Sequence, residues 1–311
     1  MSLFSVPVSW DELEFAKPTS VTISSFLAKL YMQTVKSLPP ILKYPGGKTK
    51  LISYLEKYYN LYRDRRFVAP FCGGLGDALG LMPHQALLND SFPALINLYQ
   101  LVKEGFVIKN PIQHSKEAYY QAREKFNTLS TPLMLPFYRQ EVAELLVYLN
   151  RHCFNGLIRS NSMGGFNVPI GKPSGGQEFK YVLDYRDYAP VFKNWEFTCG
   201  DFSQVEVLDT DFAYLDPPYD ELNETSKFTQ YGIGEVFDWA QQEETAYIAS
   251  KYPCATLLSN HATPRIVELY TKLGASIEYI EVTRAINSKA SARSNKVVEV
   301  LASWRMGNST H

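Results

Sequence analysis

Long apolar runs are missing from this 311-residue chain. None approaches the roughly 18 residues that a bilayer-spanning helix needs, so no membrane span is expected. The opening MSLFSVPVSWDELEF has no basic start leading into an apolar stretch, so it does not read as a signal peptide. Cysteine is scarce. Cys72, Cys153, Cys199 and Cys254 lie at least 46 residues apart, which excludes a disulfide framework and a CxxC metal pattern. The few histidines have no ligand spacing; His114, His152 and His261 are scattered and are expected to be structural, and no metal is expected. Internal repeats and low-complexity tracts are absent as well. With 45% hydrophobic and 20% charged residues, the composition is that of an ordinary globular protein, not a disordered, coiled-coil or collagen-like one. A soluble, thiol-reduced, cytoplasmic protein is expected.

A charge of one sign is also lacking overall: 31 Lys/Arg stand against 32 Asp/Glu. The balance hides a division. Residues 41–100 carry seven basic against four acidic residues and residues 101–200 twelve against nine, whereas 201–281 carry four against fifteen. Arg284, Lys289, Arg293 and Lys296 then follow with no acid among them. Such asymmetry permits a polyanionic partner without demanding one.

Pro39-Pro40 marks a boundary. Beyond it, KYPGGKTKLISYLEKYY reads as a glycine-rich turn entering a helix, and RFVAPFCGGLG as a short strand, a glycine turn and a helix running through Asp77 to Leu81. ALLND at 86–90 is a second strand, and residues 92–150 are helix-rich, with Val142, Leu145, Leu146 and Leu149 on one face. From Phe197 onward the strand-like runs DFAYLD, ATLLSN, SIEYIEVTRAI and VVEVLASW alternate with helical stretches. That alternation predicts an α/β protein with a parallel or mixed sheet.

Ligands of such sheets sit outside the carboxyl ends of strands, and three ends here are equipped. Phe71-Cys72-Gly73-Gly74-Leu75-Gly76 lets backbone approach a ligand closely; it is neither the GxGxxG fingerprint nor a P-loop. Asp90 could accept from ribose hydroxyls, although an Asp after a strand is more often a helix cap. Asp216-Pro217-Pro218-Tyr219 joins a carboxylate, a rigid carbonyl-bearing turn and an aromatic ring. An exocyclic amino group on a base calls for that set: two acceptors for its N–H bonds and a ring to stack on.

These blocks, in this order, resemble the Dam-type (D12 class) DNA adenine-N6 methyltransferases over residues 41–304. The resemblance is carried by KYPGGK at 43–48, FVAPFCGGLG at 67–76, LLND at 87–90, FNGLIRSNSMGGFNVPIGK at 154–172, GDF at 200–202, DPPY at 216–219, LSNH at 258–261 and RAINS at 284–288. It implies a Rossmann-like methyltransferase sheet, seven-stranded and mostly parallel. Residues 41–97 and 196–305 would form the catalytic domain. An inserted, helical target-recognition domain at 98–195 would carry a β-hairpin. Residues 1–40 fall outside the resemblance.

The cofactor implied is S-adenosylmethionine (AdoMet), leaving as S-adenosylhomocysteine. By resemblance Tyr44 would stack on its adenine, Asp90 bind its ribose and Gly73 and Gly74 admit it. Phe202 would line the pocket together with Gly46, Gly47, Lys48, Phe71, Asp201 and Asp216. Asp216 and the Pro217 carbonyl would hold the target amino group, with Pro218 shaping the turn, Tyr219 stacking on the extruded base and Lys48 close to it. Lys43 and Arg159 would read guanines, Leu157 and Pro169 meet a thymine, and Phe154 wedge into the stack. Asn155, Lys172, Arg284 and Arg293 complete the DNA-binding set. The pattern points to GATC or a close variant. The family usually has Asp or Glu before the Pro-Phe of the AdoMet loop, where this chain has Ala69; the departure bears on cofactor affinity. The partners implied are double-stranded DNA and, for a restriction-modification enzyme, a cognate endonuclease. The host would be bacterial or viral and the enzyme a monomer or weak dimer.

The hairpin can also be read from its own residues. Gly156–Ser160 and Phe166–Ile170 are extended runs around 161–165, and period-2 alternation puts Leu157 and Arg159 on one face, suited to a guanine edge and a thymine methyl. Two other readings stay open. One is an amino methyltransferase acting on cytosine N4, RNA or a protein glutamine. The other is a methyltransferase-fold binding protein that has lost catalysis.

Overall fold

The computed structural model describes residues 38–44, 51–161, 165–172, 182–220, 237–283 and 296–307, and the statements below concern these. Gly46, Gly47, Lys48, Lys180, Arg284, Arg293, the hairpin tip at 162–164 and residues 1–37 lie outside them. Pro39–His311 form one compact unit.

Seven strands form one sheet: β1 (Phe67–Ala69), β2 (Ala86–Asp90), β3 (Trp195–Cys199), β4 (Phe212–Leu215), β5 (Ala255–His261), β6 (Ser276–Thr283) and β7 (Lys296–Trp304). Their order is β3-β2-β1-β4-β5-β7-β6. The first five run parallel and β7 lies antiparallel to both its neighbours. This is the expected mostly parallel, Rossmann-like sheet. The burial explains the pattern. β1, β4 and β5 are apolar-rich runs buried along their whole length, as strands covered on both faces must be. The edge strand β3 alternates at its start, burying Trp195 and Phe197 and exposing Glu196. Its five residues WEFTC were not singled out as a strand by pattern, because an edge strand lacks the continuous apolar signal.

The chain moves outward from β1 through β2 to β3, then returns to place β4 on the other side of β1. That reversal opens a crevice at the carboxyl ends of β1 and β4. The two strands are fastened at their other ends by a bidentate pair, Arg66 Nε to Asp211 Oδ1 at 3.0 Å and Nη2 to Oδ2 at 2.7 Å. Tyr59, Tyr62, Phe67, Phe212 and Tyr214 pack as an aromatic cluster beside them.

Helix α1 (Ile52–Tyr59) precedes β1, α2 (Gly76–Leu81) follows the glycine turn, and α3 (Pro93–Lys103) crosses from β2, packing on β2 and β3. Two further long helices lie between β2 and β3, α4 (Lys116–Leu129) and α5 (Arg139–His152); α5 packs against both α3 and α4. After the short α6 (Ala189–Phe192) and β4 come α7 (Trp239–Lys251) and α8 (Pro264–Lys272). Helix α7 starts at a capping box formed by Asp238 and Gln241, and α8 at Thr263, whose hydroxyl accepts from the Ile266 amide. Both starts bear on the site.

Candidate active site

At the end of β1 the backbone turns through Cys72, Gly73 and Gly74. Gly73 has φ +42°, and a Cβ on Gly74 would sit 2.4 Å from Cβ of Tyr44. The Tyr44 side chain therefore lies directly over the glycine pair, a contact that only residues without side chains permit. Asp90, closing β2, accepts from the amides of Gly73 and Phe92, each at 3.0 Å. Burial pushes its carboxyl above the usual carboxylate range, against the pull of those amides. Two accepted bonds leave lone pairs for ribose hydroxyls. The Asn89 side chain ties three strand ends together, donating to the carbonyls of Pro70 (3.1 Å) and Gly200 (3.0 Å) and accepting from Thr198.

Phe71 packs on Phe202 with ring centres 4.9 Å apart, and Phe237 closes the group at 5.8 and 6.1 Å. Phe71 and Phe202 were expected in the pocket; Phe237 was not, since nothing around it in the sequence marks it. Asp201 caps its own turn through the amide and hydroxyl of Ser203. A glycine cradle under an aromatic ring, a strand-end carboxylate and an aromatic wall fit a nucleoside such as the adenosine of AdoMet. Ala69 is fully buried within β1, and its methyl side chain offers no acceptor to the methionine amine.

Across the crevice, β4 ends in Asp216-Pro217-Pro218-Tyr219. Gln242 of α7 donates to the Pro218 carbonyl at 2.7 Å. No donor among the described residues reaches the Pro217 carbonyl. Ser259 donates to Asp216 Oδ1 at 2.8 Å. The Tyr219 ring meets His261 edge-on at 4.9 Å, and its hydroxyl lies 3.4 Å from Glu299. The turn is then anchored at Asp220, which is 4% exposed: its amide donates to Asn260 at 2.8 Å and its carboxylate accepts from Thr263 and Arg265. Ser259, Asn260 and His261 belong to the LSNH block noted in the sequence without a role. A polar run closing an apolar strand was the signal that could have found them.

The segment expected to recognise DNA begins differently from expectation. Phe154–Gly156 form a 3-10 turn with Asn155 at φ 56°, so the extended run starts at Leu157 and not at Gly156. Beyond it, antiparallel bridges pair Ser160 with Phe166 and Cys153 with Ile170. Ile158, Phe166 and Val168 are buried, leaving Leu157, Arg159, Asn167 and Pro169 on the other face, as the alternation predicts. Arg159 Nε donates to Asn167 Oδ1 at 2.9 Å, which holds the guanidinium in place. The return arm is laid along α4 by residues one turn apart: Tyr119 and Arg123 donate to the Val168 carbonyl, and the Asn127 amide pairs with both backbone groups of Phe166.

Asn150, fully buried on α5, exchanges bonds with the backbone of Lys43 (2.8 Å each way) and donates to the Gly156 carbonyl (3.1 Å). It brings Lys43 and Tyr44 to the base of the recognition segment, a role invisible in the sequence because the partners are 107 residues apart. Lys43, Phe154, Pro169 and Lys172 are exposed. His114 and His152, expected to be scattered, stack at 4.9 Å, and His261 supports Tyr219. Among the described residues no cluster of His, Cys, Asp or Glu is gathered as a metal site, and no helix is long and apolar enough to cross a membrane.

Residues 44–286 match the family model described as D12 class N6 adenine-specific DNA methyltransferase. The chain is 33% identical over 282 residues to the DNA adenine methylase of Escherichia coli strain K12, covering 86% of this chain and 95% of that protein. It is 32% identical over 282 residues to the DNA adenine methylase of Salmonella typhi, covering 86% and 96%. It is 29% identical over 293 residues to a type II methyltransferase of Methanocaldococcus jannaschii, covering 84% and 97%.

Proposed function

The chain belongs to the D12 class of N6 adenine-specific DNA methyltransferases, and from that membership we propose that it methylates the adenine of GATC, or a close variant, with AdoMet as the donor. AdoMet, when bound, would supply a methyl group made electrophilic by its sulfonium, with the neutral thioether S-adenosylhomocysteine as the leaving group. What the protein must add is position.

The observation that carries the reading is the pair of acceptors at the end of β4. The N6 lone pair of adenine is delocalised into the ring, so the amine is a poor nucleophile. Accepting its two N–H bonds at Asp216 and at the Pro217 carbonyl favours a pyramidal nitrogen with its lone pair directed at the methyl. The bond that Gln242 makes to Pro218 supports the choice of the Pro217 carbonyl for this work. Tyr219 stacks on the extruded base. A base in a duplex cannot reach such a pocket, so it is flipped out at a cost of a few kcal/mol. Tyr44, Asp90, Phe71, Phe202 and Phe237 hold the adenosine of the donor, and the family resemblance alone assigns Lys48 to the target base.

The segment 98–195 reads the DNA. Arg159 and Lys43 take guanine edges in the major groove, Leu157 and Pro169 a thymine methyl, and Phe154 the gap left by the flipped base. Lys172, Arg284 and Arg293 serve phosphates, and the enzyme works on DNA in the cytoplasm. The test of the chemistry is to digest the reacted duplex to nucleosides. N6-methyladenine, lost in Asp216→Ala while duplex binding persists, is expected; N4-methylcytosine would overturn the reading.

A further inference from the structure

The LSNH block has a further part in the reaction. Tyr214 and Ser259 face each other from the neighbouring strands β4 and β5, and both are fully buried. The Tyr214 hydroxyl lies 2.9 Å from Ser259 Oγ, and Ser259 Oγ lies 2.8 Å from Asp216 Oδ1. The direction of this chain follows from counting protons. A serine hydroxyl has one proton to give. The carboxylate is the nearer and more strongly accepting partner, since the Leu215 carbonyl stands 3.4 Å away. Serine therefore donates to Asp216, and tyrosine donates to serine. Burial and the neighbouring Asp216 push the Tyr214 phenol well up, so it stays protonated and keeps its donor.

We propose that Ser259, backed by Tyr214, is a positioning residue for methyl transfer: it fixes the rotamer of Asp216, so that the acceptor for the N6 amine is set before the base arrives. The proposal rests on the role given to Asp216 above. Two consequences separate it from a packing role. A carboxylate free to rotate is less often aligned with the amine, so removing the bond slows the transfer step and leaves binding of duplex and AdoMet as it was. Consecutive bonds also polarise one another, so the two residues act as one unit. Among the described residues Tyr44 and Tyr219 also face this carboxylate, Tyr219 sharing the Ser259 hydroxyl, and Glu299 of β7 and Asp77 of α2 face Tyr214; none of them is altered in the test.

The experiment is single-turnover methylation of the duplex that the parent enzyme methylates, with duplex and AdoMet affinities measured alongside, for Ser259→Ala, Tyr214→Phe and the double variant. Tyr214→Phe keeps the buried ring and removes only the hydroxyl, so it remains informative if Ser259→Ala fails to fold. Expected for Ser259→Ala is a fall in the single-turnover rate of about tenfold to a hundredfold, the loss of one charge-assisted bond. Duplex and AdoMet affinities should stay within about twofold of the parent. Tyr214→Phe should slow the step by less, again with both affinities kept, and the double variant should be no slower than Ser259→Ala. An unchanged rate in either folded variant overturns the proposal. So does a loss of duplex or AdoMet affinity large enough to account for the slower rate, which leaves only packing. Normal methylation by Asp216→Ala would instead overturn the reading beneath it.

Discussion

Gly74 and Arg159 show how far single residues decide this site. A Cβ on Gly74 would fall 2.4 Å from Cβ of Tyr44, inside any real contact, and the ring cannot give way without leaving the donor pocket. Overpacking of that kind costs about 1–3 kcal/mol. Gly74→Ala should therefore weaken AdoMet binding about tenfold, measured by titration calorimetry, while duplex affinity without the cofactor stays as it was. A loss confined to duplex affinity would contradict the placement of Tyr44. Arg159 is held through Nε by Asn167, which leaves its two terminal nitrogens to face a base. Arg159→Ala should relax discrimination at one guanine by about 1–3 kcal/mol, read as relative kcat/KM on singly substituted duplexes. Equal loss on every duplex would make it a phosphate contact.

At the scale of elements, the hairpin proposed to read the DNA depends on α4. Few of its backbone groups find partners in the opposite arm, and Asn127 supplies both bonds to Phe166, which is 1% exposed. Asn127→Ala leaves two buried backbone groups unpaired, at about 1–3 kcal/mol each. The arm should loosen as a unit: hydrogen exchange at Phe166 and Val168 should accelerate and discrimination should fall across the whole site. Loss at one base pair only would show that the arm keeps its place without α4. The hairpin's alternation was legible in the sequence because a two-residue period is a local property. Its support was not: Tyr119, Arg123 and Asn127 look like ordinary polar helix positions until the arm lies along them. Similarly, β1, β2, β4 and β5 announce themselves as apolar runs, whereas the tie made by Asn89 and the clamp made by Asn150 satisfy backbone groups far away in the chain. β3 escaped pattern reading because half of it faces solvent.

Over the whole molecule, the fold and the two halves of the crevice were readable from strand ends alone, since Asp90, the glycine turn and Asp216-Pro217-Pro218-Tyr219 lie where a doubly wound sheet gathers its ligands. Global stability carries a signature that sequence could not show. His152 is 1% exposed, and burial lowers its pKa from 6.5 to about 4. The folded protein thus excludes a proton that the unfolded chain accepts. Stability from this source is fully present above pH 6.5, is lost as pH falls towards 4, and amounts to at most about 3 kcal/mol. Urea midpoints over that range should fall more steeply for the parent than for His152→Gln; equal slopes would remove His152 from the account. The central claim is tested most directly by transfer of labelled methyl from AdoMet to two unmethylated duplexes, one with GATC and one with that site scrambled. Label on the GATC duplex alone is the predicted result. Label on both would contradict the reading of the hairpin, and label on neither at saturating AdoMet would contradict the proposed activity itself.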